Sequence, residues 1–166
     1  MDEEYFPNPH TNPAAIQFFE RAYRLQMNGE LEQAVAYYKK SLEIEPTAEA
    51  YTFLGWTYSY MDQLEQAIQE CLKAIETDPD FGNPYNDIGA YYLQLGKPKD
   101  AIPWLQKAKQ AQRYASPEFA YTNLGRAYEL LGLWPKAMIE YHESLEINPN
   151  YFPAKEALEH IEPKLN

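Results

Sequence analysis

Cysteine, histidine and positive charge are scarce in this chain, and each scarcity removes a class of function. A single cysteine, Cys71, leaves no disulfide framework and no multi-cysteine metal site. The three histidines, His10, His142 and His160, are far apart in sequence. The stretch "HESLE" at 142–146 has Glu146 where a zinc-protease helix needs its second histidine, so no metal ligand is expected there. Lys and Arg number 14 against 25 Asp and Glu, a formal net charge of −11. Nucleic-acid phosphates and an anionic membrane surface would be repelled, so neither is an expected partner. No apolar run reaches the length of a membrane span. The opening "MDEEYFPNPH" is acidic and has no apolar stretch, unlike a signal peptide, so a cytoplasmic location is expected. Neither G-x-G-x-x-G nor G-x-x-x-x-G-K occurs, and no serine or aspartate stands in a triad pattern. No catalytic residue and no cofactor is expected.

Tyrosine and proline are abundant instead, at 15 and 13 residues. Their placement is periodic. "YTFLGWTY" (51–58), "YNDIGAYY" (85–92) and "YTNLGRAY" (121–128) share the pattern Tyr-x-x-(Leu or Ile)-Gly-x-x-Tyr. Twelve residues past each glycine comes an alanine: Ala67, Ala101 and Ala137. Four further on stand Cys71, Leu105 and Tyr141. A weaker copy, "FFERAYRL" (18–25), carries Ala22, Ala34 and Tyr38 in the same places, and Pro46, Pro79 and Pro149 close three of the units. The small residues Ala22, Gly55, Gly89 and Gly125 are 33, 34 and 36 positions apart.

Each unit reads as two helices. Asn12, Thr47 and Ser116 suit N-caps, with Pro13 and Pro117 as first helical residues. Gly29, Gly96 and Gly132 suit the turns between paired helices, and Asp62 takes that position in the second unit. The Gly/Ala pairs should let antiparallel helices approach closely. In the third unit Arg113 replaces the closing proline and two extra residues follow, so "QAQRYASPEF" is expected to lengthen the second helix. Pro103 lies inside that helix and removes one backbone bond.

This pattern resembles the tetratricopeptide repeat family, whose units read Trp-x-x-Leu-Gly-x-x-Tyr, then Ala-x-x-x-Phe, then Pro. The resemblance implies an all-α, right-handed α-α superhelical solenoid. Its expected organisation is an acidic, proline-containing leader (1–13), four helix-turn-helix repeats (about 14–47, 48–81, 82–115 and 116–150) and a C-terminal capping helix (151–166). Arg21, where the other units have Leu54, Ile88 and Leu124, suits a first repeat with no predecessor. Ala154, Leu158 and Ile161 form the apolar stripe of the cap.

In such proteins the first helix of each pair lines a concave groove. On this chain that face would carry Phe19, Tyr23 and Met27, then Thr52, Trp56 and Tyr60, then Asn83 and Asn86, then Phe119 and Arg126. Exposed aromatic patches mark interaction sites, and Trp and Tyr are favoured anchors. The asparagine amides could hold the backbone of an extended peptide, and Arg126 a carboxylate or carbonyl. The expected function is a non-catalytic adaptor that binds a peptide or amphipathic helix of another protein. The alternative is a scaffold that self-associates, as a homodimer for example, through the same surface. A third arrangement has the leader, with Tyr5, Phe6 and Pro7, folded back over Phe19 and Tyr23. Residues 1–83 hold 5 basic against 15 acidic side chains, a field that favours a basic partner. Lys97, Lys99, Lys107, Lys109 and Arg113 form the one basic cluster, read as a solvated face, with a minor site for an acidic partner as the alternative. The Lys/Asn/Arg clamp by which chaperone-binding family members hold a C-terminal carboxylate has no lysine or arginine at its matching positions here.

Overall fold

Four turns of one kind set the helix pairing. Gly29, Gly96 and Gly132 have φ of +80°, +69° and +71°, and Asp62 reaches +59° in the same role. A left-handed residue reverses the chain at a helix end and lets the next N–H satisfy an orphan carbonyl. That bond recurs four times: Glu30 N–H to the Leu25 carbonyl, Gln63 to Tyr58, Lys97 to Tyr92 and Leu133 to Tyr128, at 2.8–2.9 Å. The acceptor in every case is the last residue of the repeated sequence motif.

The computed structural model describes residues 6–161. Among them are nine α-helices and no β-strand. They are α1 (Pro13–Met27), α2 (Leu31–Ile44), α3 (Ala48–Tyr60), α4 (Leu64–Thr77), α5 (Asn83–Gln94), α6 (Pro98–Gln110), α7 (Glu118–Leu130), α8 (Trp134–Ile147) and α9 (Phe152–Ile161). Asn12 caps α1 through its side-chain oxygen, which accepts from Ala14 N–H, and Thr47 caps α3 by accepting from Ala50 N–H. Prolines end the second helices indirectly. Glu45, Asp78 and Asn148, each just before a proline, are extended at φ −151°, −143° and −131°, because the proline ring disfavours helical backbone there.

The chain divides into two compact units, Met1–Pro84 and Tyr85–Asn166. In the first, Phe19, Ala22, Ala34, Tyr38, Ala50, Phe53 and Leu54 form one buried cluster across α1, α2 and α3, and Ala48, Ala74 and Phe81 form another. In the second, Ala101, Leu105, Leu124 and Ala127 join α6 to α7. Ala154, Leu158 and Ile161 of α9 pack on Ala137 and Tyr141 of α8. The small motif residues work as expected, with a refinement. A Cβ on Gly125 would lie 2.5 Å from the Tyr141 ring, and one on Gly89 would overlap Leu105. The glycines therefore make room for the residue four past each alanine, not for the alanine alone. Cys71 fills that position against Gly55, buried and unbonded to any other sulfur.

The two outer helix pairs share a polar staple. Tyr38 Oη donates to Gln26 Oε1 at 2.7 Å, and Tyr141 Oη to Glu129 Oε2 at 2.9 Å. Ser41 Oγ donates to the Ala15 carbonyl and Ser144 Oγ to that of Glu118. Burial pushes both phenols well above the ordinary tyrosine range. Around Tyr38 the neighbouring Tyr23 and Tyr60 add to this; at Tyr141 the bond to Glu129 and its charge add, and Arg126 opposes them.

One expectation about the third unit is corrected. α6 is not lengthened: it stops at Gln110, Ala111 is extended at ψ 137°, and residues 111–117 form a loop that takes up the extra residues. α7 starts at Glu118, with Pro117 before it already in helical backbone at φ −63° and ψ −21°, and the Ser116 backbone carbonyl accepts from Phe119 N–H at 3.2 Å.

Candidate functional site

The first unit concentrates its rings on one face of α1 and α3. Phe19 and Phe53 meet edge to face at 5.1 Å, Tyr23 meets Phe53 at 5.7 Å, and Trp56 lies 4.5 Å from Phe53. The cluster grades outward. Phe19 and Phe53 are buried, Tyr23 and Trp56 half-buried, and Tyr60 and Met27 exposed. Phe19 is buried under three neighbours, Phe53 of α3 at 5.1 Å, Tyr38 of α2 at 5.5 Å and a ring from outside the helices. Thr52 is also buried; its hydroxyl is spent on the Ala48 carbonyl at 2.8 Å. One further ring joins from outside the helices. Phe6 stands 5.4 Å from both Phe19 and Tyr23, at 74° and 71°, and 6.3 Å from Phe53. Tyr5, the other leader ring, lies outside the described residues.

The amides are less available than their sequence positions suggest. Asn83 is buried at the start of α5. Asn86 is buried too, and its Oδ1 accepts from Asn123 Nδ2 at 3.0 Å. Its own Nδ2 reaches Asp87 at 3.4 Å. Asn86 and Asn123 thus tie α5 to α7.

The second unit holds a cavity of about 570 Å³ between α7, α8 and α9. Thr122, Asn123, Arg126 and Glu129 of α7 line one wall, Tyr141 of α8 the base, and Tyr151, Pro153, Glu156, Ala157 and His160 the other wall. Glu129 is held from two sides, by Tyr141 Oη and by His160 Nδ1 at 3.3 Å. Burial first, and the Glu118 charge second, push the Tyr151 phenol up to about 12, against the pull of Arg126. Phe119 is exposed and touches Tyr151 edge to face at 5.2 Å. Phe119 and Arg126 thus both flank Tyr151, within the second unit. The α9 wall was missed by sequence reasoning: nothing in "YFPAKEALEHIEP" distinguishes a helix that only covers apolar surface from one that also walls a cavity.

The basic cluster is partly consumed. Lys109 pairs with Glu140 at 2.7 Å, its ammonium lying over the Tyr121 ring at 4.1 Å, and Lys107 lies over Trp104. Among the described residues, no group of three or more His, Cys, Asp and Glu could hold a metal ion, and no helix is long and apolar enough to cross a membrane.

Stacked antiparallel helix pairs with small residues at the crossings define an all-α helical repeat solenoid. Sequence models described as tetratricopeptide repeat match residues 28–47, 48–81, 70–103 and 118–151, and the chain belongs to the tetratricopeptide repeat family. It is 28% identical over 74 residues to the TPR repeat-containing thioredoxin TTL4 of Arabidopsis thaliana, covering 44% of this chain and 11% of that protein. It is 31% identical over 85 residues to sperm-associated antigen 1 of Mus musculus, covering 51% and 9%. The chain thus spans about a tenth of the length of these curated relatives. Among solved structures it is similar to PilW, a type IV pilus biogenesis factor (TM-score 0.81, 22% identity, 89% of this chain and 68% of that one). It is similar to YrrB, a TPR protein with an unusual peptide-binding site (0.66, 25%, 88% and 77%). It is also similar to the first TPR of Spaghetti (RPAP3) bound to an HSP90 peptide (0.66, 26%, 71% and 92%). Fold and family make this chain a protein-interaction module.

Proposed function

We propose that the module is non-catalytic and captures a peptide or helical segment of another protein on the aromatic face of α1 and α3. The observation that carries this reading is the outward gradient of one ring cluster: Trp56 half-buried against Phe53, Tyr60 exposed beyond it, with Tyr23 and Met27 alongside. A rigid, buried base with exposed aromatic tips is the arrangement of interface anchors. Phe119 and Arg126, in the second unit, are proposed as a separate contact, Arg126 receiving a carboxylate or carbonyl. The peptide-bound relative among the similar structures supports the class of ligand, not its sequence. The surplus of acidic side chains in the first half favours a basic segment.

Selection from a random peptide library displayed on phage tests the reading. Clones retained by the wild type should be lost on Trp56→Ala/Tyr60→Ala, each truncation costing about 2 kcal/mol or more if these are true anchors. Equal retention by the double variant, with its helical spectrum unchanged, would remove this face as the binding site.

A further inference from the structure

We infer that the ring cluster of α1 and α3 includes a subsite for an aromatic–proline pair in an extended segment, and that the chain's own Phe6–Pro7 occupies it as a built-in competitor. The inference rests on the interaction-module reading and names both the chemistry of its ligand and what gates access.

Phe6 belongs to no helix, yet its ring makes edge-to-face contacts with Phe19 and Tyr23 and a tilted one with Phe53. The host rings also contact one another without it, Phe19 with Phe53 and Tyr23 with Phe53. The seat is therefore assembled by α1 and α3, and Phe6 is its guest. Edge-to-face geometry favours an aromatic guest over an aliphatic one of equal size, since each ring edge meets a ring face. Pro7, next in sequence, is buried. A proline enters such a seat with its φ already fixed, which lowers the ordering cost of binding.

The rest of the strap is held at its root. Thr11 N–H donates to the Asn8 carbonyl at 2.8 Å, His10 N–H to Asn8 Oδ1 at 2.9 Å, and Asn12 N–H to Glu45 Oε2 at 2.7 Å. Asn8, Pro9 and His10 are exposed. The segment thus grips at two places, a polar root at Asn12 and an apolar tip at Phe6–Pro7, with a solvated turn between. Such a tip can leave without disturbing α1. A tether this short holds its tip at an effective concentration on the order of millimolar. Weak encounters are then screened out, and a segment must bring its own aromatic–proline pair, together with contacts to Trp56 or Tyr60, to displace the strap.

The test uses a fluorescein-labelled peptide with the sequence of residues 5–12, YFPNPHTN, titrated by anisotropy onto full-length wild type and Phe6→Ala. The variant should bind it at least ~10-fold more tightly than the wild type, because the tethered competitor is gone. The same peptide with alanine in place of phenylalanine should bind neither protein. Equal affinity for the two proteins, or no binding to Phe6→Ala up to millimolar peptide, would overturn the inference. A measurement that needs no variant accompanies it. In wild type carrying 4-fluorophenylalanine at position 6, excess peptide should move the ring's fluorine resonance to its free-chain position, and an unmoved resonance counts against the idea. If phage clones depend on Trp56 and Tyr60 while this peptide fails, the interaction reading stands and only the subsite assignment falls.

Discussion

At the scale of single residues, the most informative side chains are those that replace a motif residue. Asp62 does the work of the three turn glycines at φ +59°, where a Cβ is strained. Asp62→Gly should raise stability by about 0.5–1 kcal/mol, seen as a higher urea midpoint with an unchanged slope. Tyr38 is the second case. Its folded-state pKa lies above the unfolded value of 10.0, chiefly through burial. Its contribution is therefore fully present below pH 10 and is lost as the pH climbs from there towards the folded value. Stability should fall as the pH rises past 10, and the titration of Tyr38 and Tyr141 contributes nothing on the acid side. Tyr38→Phe should weaken that alkaline dependence. At neutral pH it should cost about 1–3 kcal/mol, because Gln26 Oε1 loses its donor inside the core. Urea melts at neutral and alkaline pH read both effects.

At the scale of elements, α9 repays attention because it does two things. Its inner stripe, Ala154, Leu158 and Ile161, covers Ala137 and Tyr141, while Glu156 and His160 wall the cavity over α7. Ile161 is fully buried, so Ile161→Ala should cost about 2–5 kcal/mol locally. In a repeat array that loss is felt by the neighbouring pair before the far end of the chain. Hydrogen exchange should accelerate in α9 and α8 while α1–α3 keep their protection. Uniform acceleration throughout would mean that the helix pairs do not behave as semi-independent repeats.

At the scale of the whole molecule, the question is whether exposed apolar side chains meet another protein or a second copy. Tyr60, Met27, Phe119, Leu130 and Phe152 are all exposed, and the formal charge of −11 opposes self-association. Light-scattering mass is expected to stay at that of one chain, 19.3 kDa, across a concentration series. A mass that rises with concentration, and falls again in Trp56→Ala/Tyr60→Ala, would make the aromatic face an assembly surface and displace the adaptor reading.

Much of the fold was legible from local chemistry. Turn residues, helix-closing prolines and the spacing of small residues act within a few positions of one another, so Gly29, Asp62, Pro46 and Gly125 announce their roles in the linear chain. The α6–α7 loop was misjudged because the third unit has Arg113 where the others have a proline, so no short-range signal marks the end of α6 at Gln110. The candidate site was less legible for a physical reason. A helical face says which residues are not in one seam, but not which of them a third element covers. Only tertiary packing decided that Phe19 and Phe53 are core while Trp56 and Tyr60 remain accessible, that Asn86 and Asn123 satisfy each other, that α9 walls a cavity, and that Phe6 sits on the rings of α1 and α3. The linear chain by itself determined the period, the pairing of helices and the family, because those rest on short-range backbone geometry. Exposure rests on contacts between residues tens of positions apart, which only the folded structure brings together.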